Sequence, residues 1–284
     1  MPRWFRYPAL IALALVFALP ARGLAQQRPL VTEDPETIGE GRVLVEAGVD
    51  HARDVSYPAS GLRGNLTRAP LIGISVGIGR IAELQIDGGL RNHLAITGRA
   101  PAPLASMVTA AGDGTSDVED LVIGTKIRVV PEGPSRPSVG VRVATRLPNA
   151  GNESGLGLDT TDVFGSILVG KTVRSVRAVV NLGIGILADP TVATRQNDVV
   201  TYGVSLARAL TRAAEVVGEV NGRVSFDDDP APGTESRGVA RLGARYTVGG
   251  WRADAALLLG LTGPDTSVGL AAGVTWVFNA FTVK

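Results

Sequence analysis

The 284 residues include two histidines and no cysteine, so nucleophilic or general-base chemistry would have to rest on His51, His93 and nearby hydroxyls. A serine nucleophile needs an imidazole within hydrogen-bond reach. His51 closes the first stretch of alternating residues, with Ser56 and Ser60 in the segment after it, and His93 lies on the inward parity of the third stretch. Neither stands in a motif that sets up a catalytic pair, so a membrane-embedded hydrolase is the weaker reading. The acids Asp113, Asp117, Glu119 and Asp120, and separately Asp227 to Asp229, could gather oxygen ligands, but they lack the spacing of a calcium loop. Gly124-Thr125-Lys126 lacks the earlier glycine of a phosphate-binding loop. Without cysteine a zinc site is improbable. No enzyme activity, metal or cofactor is expected.

A second kind of chemistry comes from charges spaced two or four residues apart, which a strand carries on one face. Glu46 and Asp50 form the first such set, and Glu83 and Asp87 the next. Lys126 and Arg128 follow, then Arg142 and Arg146, then Arg177. Glu215 and Glu219 precede Arg241, Arg245 and Arg252. The signs segregate along the chain. If these residues line an interior, they either set a transverse field that selects solutes or pair and brace the wall, because buried charges need partners. Bracing is the favoured reading, and the same groups can do both.

The elements that carry these charges alternate with period two from Arg42 onward. Val43, Val45, Ala47 and Val49 take one face, while Arg42, Glu46, Gly48 and Asp50 take the other. Further runs span 69–79, 81–94, 118–130, 138–147, 162–172, 175–187, 198–208, 212–226, 237–248, 251–261 and 267–278. With the first they make twelve. Most have the 9 to 11 residues, roughly, that a tilted strand needs to cross a bilayer. Tight connections near 79–80, 173–174, 209–211 and 249–250 alternate with longer polar ones at 52–68, 95–117, 148–161, 188–197 and 227–236. Pro131 to Pro137 is a longer exception among the short turns, and Thr262 to Thr266 a short exception among the long loops. Short turns on one side and long loops on the other mark an outer-membrane barrel. Tyr246, Trp251, Trp276 and Phe278 fall on the outward parity at the short-turn ends, and Tyr202 and Phe226 on the outward parity at the opposite ends, as two aromatic girdles require. The inward parity is charged or small, with Gly73, Ser75, Gly77, Gly183, Gly185, Gly269 and Gly273.

Composition agrees with this architecture. Glycine, at 36 residues, is nearly twice its usual share of about 7%. Arg3 and Arg6 precede a 15-residue uncharged stretch, Tyr7 to Ala21, which is too short for the ~20 residues of a spanning helix and reads as a signal peptide over 1–25. Its removal leaves 25 basic and 27 acidic residues, which excludes a nucleic-acid binder. Residues 26–41 form an extended periplasmic segment, and 42–284 the barrel. The expectation is an all-β, transmembrane, antiparallel up-and-down β-barrel, monomeric in outer-membrane lipid.

Arg28-Pro29-Leu30-Val31-Thr32-Glu33-Asp34-Pro35-Glu36-Thr37 followed by Gly41, Glu119-Asp120-Leu121 with Gly124 and Lys126, and Leu147-Pro148 with Gly155-Leu156-Gly157 and Asp162 resemble the outer-membrane barrel family named after the phenol meta-pathway. The resemblance implies a transporter of small aromatic or other hydrophobic solutes. The chain departs from many outer-membrane barrels by running past Phe281 to Thr282-Val283-Lys284 rather than ending on an aromatic residue. The expected work is passage of an unidentified small solute through a polar, glycine-lined lumen, gated by the 95–117 and 148–161 loops or by residues 26–41. A closed scaffold or adhesion barrel is the structural alternative.

Overall fold

A computed structural model describes residues 28–281; the expected signal peptide lies outside the described residues. One antiparallel sheet closes on itself through β1 (Arg42–Tyr57), β2 (Leu62–Gly77), β3 (Ala82–Gly89), β4 (Asn92–Arg99), β5 (Gly114–Asp117), β6 (Leu121–Val130) and β7 (Ser138–Leu147). It continues through β8 (Asp162–Val173), β9 (Val176–Ala188), β10 (Gln196–Ala209), β11 (Ala214–Ser225), β12 (Arg237–Val248), β13 (Trp251–Gly260) and β14 (Val268–Asn279). β2 pairs with β3 along one half and with β4 along the other, while β6 and β5 continue the ladder on the far side. Each of these two pairs of segments is therefore one stave, and the barrel has 12 staves. β1 seals it by pairing with both β14 and β2, which leaves no open edge.

Alternation explains which face is which. On β9, Val180, Leu182, Ile184 and Ile186 are exposed on the outside, while Val179, Gly185 and Leu187 are buried within. The same apolar exterior recurs on β8, β10, β12, β13 and β14. So broad an apolar surface would drive aggregation in water; hydrocarbon is the solvent it fits. Among the described residues no helix is long and apolar enough to cross a membrane.

The structure corrects two connections. The segments 52–68 and 95–117 are not simply loops: β1 runs on to Tyr57, β2 starts at Leu62, β4 reaches Arg99, and β5 occupies Gly114–Asp117. A line of irregularities crosses neighbouring staves: the register shift between Gly48 and Asp50, where β2 carries the extra residue, and the breaks after Gly89 and Asp117. A second shift, between Ala52 and Val55, interrupts β1 a few residues further along. Each irregularity reverses the inward parity, so the alternation loses phase where the strands continue. Beyond this line the inner side turns apolar, and Leu62, Leu66 and Leu94 form a small core with Val55, Tyr57, Ile96, Val108 and Leu156.

The outward aromatics mark the short-turn rim. Trp251 and Trp276 stack with ring centroids 5.2 Å apart, and Trp276 stacks on Phe278 at 4.2 Å. Tyr246 is exposed nearby on β12. Phe226 is exposed just beyond β11. Tyr202, expected at the end opposite the short turns, instead sits near the middle of β10. Its hydroxyl lies where a Cβ at Gly222 or Gly238 would come within 2.8 and 2.9 Å, so two glycines make room for the ring. Trp276→Ala removes the central ring of the stack and is expected to lower barrel stability by about 1–3 kcal/mol, from two aromatic pairs. Denaturant titration in detergent checks this, and an unchanged midpoint would show the stack to be idle.

Candidate functional site

Residues 28–41 run inside the barrel. The segment is fastened at its base by Ile38, which packs with Leu44 and Val277 and whose N–H donates to Glu83 at 2.8 Å. From there it follows the inner wall almost once around. Glu36 meets Arg128 at 2.5 Å, and Asp34 meets Arg177 at 2.6 Å. Glu33 lies between Lys126 at 3.3 Å and Arg142 at 3.1 Å. The backbone N–H groups of Val31 and Thr32 donate to Glu219 at 2.8–3.0 Å. At its far end Arg28 reaches Asp50 at 3.6 Å and Asp254 at 3.8 Å.

The leader is thus the charge complement of the wall, with acids on the basic staves and an arginine on the acidic ones. The inward glycines form its bed. A Cβ at Gly77 would collide with the Gly39 carbonyl, one at Gly48 or Gly273 with the Arg28 guanidinium, and one at Gly203 would come within 2.8 Å of Thr32 Oγ1.

All the charged residues picked from the alternation point inward. Lys126 and Glu83 are fully buried and paired at 3.0 Å. Glu46 accepts from Thr275 at 3.0 Å. Arg241 donates to Glu219 and Asn221 at 2.7 and 2.6 Å. Arg245 donates to the Arg28 carbonyl at 2.8 Å, and Arg252 lies 3.7 Å from Glu215. Arg146 pairs with Asp162 and, at 3.6 Å, with Asp120. Asp87 lines the open chamber described below.

In the β6–β7 turn, Glu132 holds Arg177 from below at 2.7 Å. Burial works against its charge, yet the Thr172 N–H, the Lys171 ammonium and the Arg177 charge together hold the Glu132 carboxyl below its ordinary range. Sequence reasoning missed Arg68, Arg223 and Arg237 on the wall and the pairing role of the leader's own Arg28, Glu33, Asp34 and Glu36. The leader's signal was a zwitterionic segment preceding a wall of segregated charge.

His93 is corrected: it faces outward, because the break after Gly89 shifts the parity of β4, and its Nδ1 lies 2.8 Å from Ser116 Oγ. His51 also faces outward, 2.9 Å from Thr67 Oγ1. The serines expected near His51 lie elsewhere; Ser60 donates to the Gly155 carbonyl at 2.7 Å. Among the described residues no group of three or more His, Asp or Glu is placed to hold a metal ion.

Above the leader lies a chamber of about 530 Å³, walled by Leu30, Val31, Leu71 and Phe164 with Arg142, Asn181 and Arg241. A second cavity of about 230 Å³ sits at the long-loop end among Tyr57, Arg146, Leu156, Leu158, Arg223 and Arg237. Asp120 lines both. The 148–161 segment covers the mouth. It is tied by Thr115 Oγ1 to the Ser154 carbonyl at 2.8 Å and by the Thr109 N–H to the Glu153 carbonyl at 2.9 Å.

No family model matches the chain, and no curated protein sequence does. Among solved structures it is similar to an outer membrane channel from Pseudomonas putida F1, at 13% identity and a TM-score of 0.63, covering 86% of this chain and 98% of that one. It is also similar to the translocator domain of the autotransporter NalP from Neisseria meningitidis, at 16% identity and a TM-score of 0.50, covering 84% and 89%. The NanC porin follows at 8% identity and a TM-score of 0.50, covering 82% and 98%. The chain has the closed, twelve-stranded fold of the outer-membrane β-barrels.

Proposed function

We propose that the protein sits in an outer membrane with its short turns toward the periplasm and passes small solutes, hydrophobic or aromatic ones included, through its lumen, with residues 28–41 as the gate. The supporting observation is that the leader is held by side chains it only borrows. Arg128, Arg142, Asp50 and Glu219 bind it through ion pairs and hydrogen bonds, and each could exchange it for water or solute. A barrel meant only as a scaffold would fill this space with its own wall residues, as eight-stranded barrels do. Likeness to an outer membrane channel and a porin supports the same reading, as does the similarity of residues 28–37 to a transporter family. Lumen-lining roles for the thirteen charged residues, and interfacial roles for the six aromatics, belong to this proposal.

The gate is testable because the chain has no cysteine. A Cβ at Gly203 would lie 3.4 Å from the Thr32 Cβ, close to the spacing of about 3.5–4.5 Å that a disulfide spans. In proteoliposomes, Thr32→Cys with Gly203→Cys should lose uptake of small aromatic solutes on oxidation and regain it on reduction. Equal uptake in both states would remove the gate.

A further inference from the structure

Twice among the described residues, the register sets two cations directly opposite each other on the inward face: Lys126 faces Arg142, and Arg223 faces Arg237. Directly opposed like charges destabilise a sheet. The first pair is relieved by the leader, since the Glu33 carboxylate spans it with one oxygen 3.3 Å from Lys126 Nζ and the other 3.1 Å from Arg142 Nε.

The second pair has no such bridge. Arg223 donates Nε and Nη2 to the carbonyls of Glu235 and Gly233, at 2.9 and 2.6 Å. Arg237 donates to the carbonyls of Pro264 and Ser56, at 2.9 and 3.3 Å. Its closest acid, Asp265, stands at 3.8 Å and already accepts from the Gly238 N–H and the Thr262 hydroxyl. Both arginines line the cavity of about 230 Å³ under the mouth loops, where Leu156 and Leu158 supply apolar surface. Asp120, the acid on the cavity wall, is engaged by the amides of Asn149 and Ala150 and by Arg146.

We infer that this cavity binds the carboxylate of a small organic acid, which bridges Arg223 and Arg237 as Glu33 bridges Lys126 and Arg142, with its apolar body against Leu156 and Leu158. Guanidinium groups match a carboxylate in both charge and planar geometry. A neutral solute of the same shape would leave the arginine pair unrelieved. As a binding site this stands apart from transport; as a statement of solute class it rests on the channel reading above.

Calorimetric titration of the full mature chain in detergent tests it, with sodium benzoate as the probe and benzyl alcohol and inorganic phosphate as comparisons. Benzoate should bind well above both. Arg223→Gln and Arg237→Gln should each weaken benzoate by roughly tenfold or more, the usual loss for a charged hydrogen bond, while Arg223→Lys retains part of the affinity. Thermal melts guard against misfolding: benzoate should raise the midpoint of the wild type and not that of Arg223→Gln, and without benzoate Arg223→Gln should melt no lower than wild type. Benzoate that binds no better than benzyl alcohol or phosphate, or that ignores both glutamine substitutions, overturns the proposal. Benzoate binding without uptake into proteoliposomes upholds the site and rejects the channel.

Discussion

Deleting residues 26–40 is expected to turn a barrel of low, flickering conductance into a steady, several-fold more conductive pore in planar bilayers. The deletion empties the level at which the leader runs along the inward glycines, where the wall itself offers only backbone and small side chains. It should also make the pore anion-selective. Glu33, Asp34 and Glu36 leave with the leader, and with them the partners of Arg142, Arg128 and, in part, Arg177. Arg177 keeps Glu132 and Lys126 keeps Glu83. Arg28 leaves Asp50 and Asp254, but Asp50 keeps Arg68, so the freed positive charge, on Arg128 and Arg142, outweighs the freed negative charge on Asp254. Charged rings of this kind set selectivity in pores. Adding Arg142→Ala to the deletion should therefore move the reversal potential back toward cations, and Arg146→Ala should do so less, since Asp162 and Asp120 already engage that residue. An unchanged single-channel conductance after deletion would mean that the barrel is braced shut by its own wall.

Lys126→Met should cost about 3–5 kcal/mol, the usual penalty for removing one member of a buried ion pair. Lys126 is 1% exposed and is the cation that both Glu33 and Glu83 face. Methionine of similar length leaves those two carboxylates close together without it, with Gln85 donating to each at 3.2 and 2.9 Å. The damage should extend to the leader, because Glu83 also accepts the Ile38 N–H that fastens its base. The guanidinium midpoint of the detergent-folded barrel measures the loss, and limited proteolysis of residues 28–41 reports the undocking. Glu83→Gln on the Lys126→Met background should recover part of the stability, because neighbouring members of one network are not additive. A single-variant loss below about 0.5 kcal/mol, the scale of an ordinary surface change, would show that the triad is not a structural tie.

Strand assignment from alternation succeeded where one environment continues along a stave. β7 and β12 span the ranges that their patterns imply, β8 and β13 differ by a residue at one end, and β9 and β14 by a residue at each end. It failed on β1, β2 and β4, where bulges reverse which side faces the lumen. A period-two pattern cannot be followed through an inserted residue, because the parity itself is what changes. His93 was misplaced for that reason.

The amino-acid order alone determined the greasy-outside wall and the inward direction of the thirteen charges read from unbroken alternation, since both follow from the two-residue repeat of a strand and need only local geometry. Whether those charges pair across the wall or hold something else was decided by the tertiary structure. Glu33 and Lys126 are 93 residues apart, and nothing local to either announces the other. Only closing the sheet brings them within reach, and only the register of β11 against β12 sets Arg223 opposite Arg237 without the bridge that Glu33 gives Lys126 and Arg142.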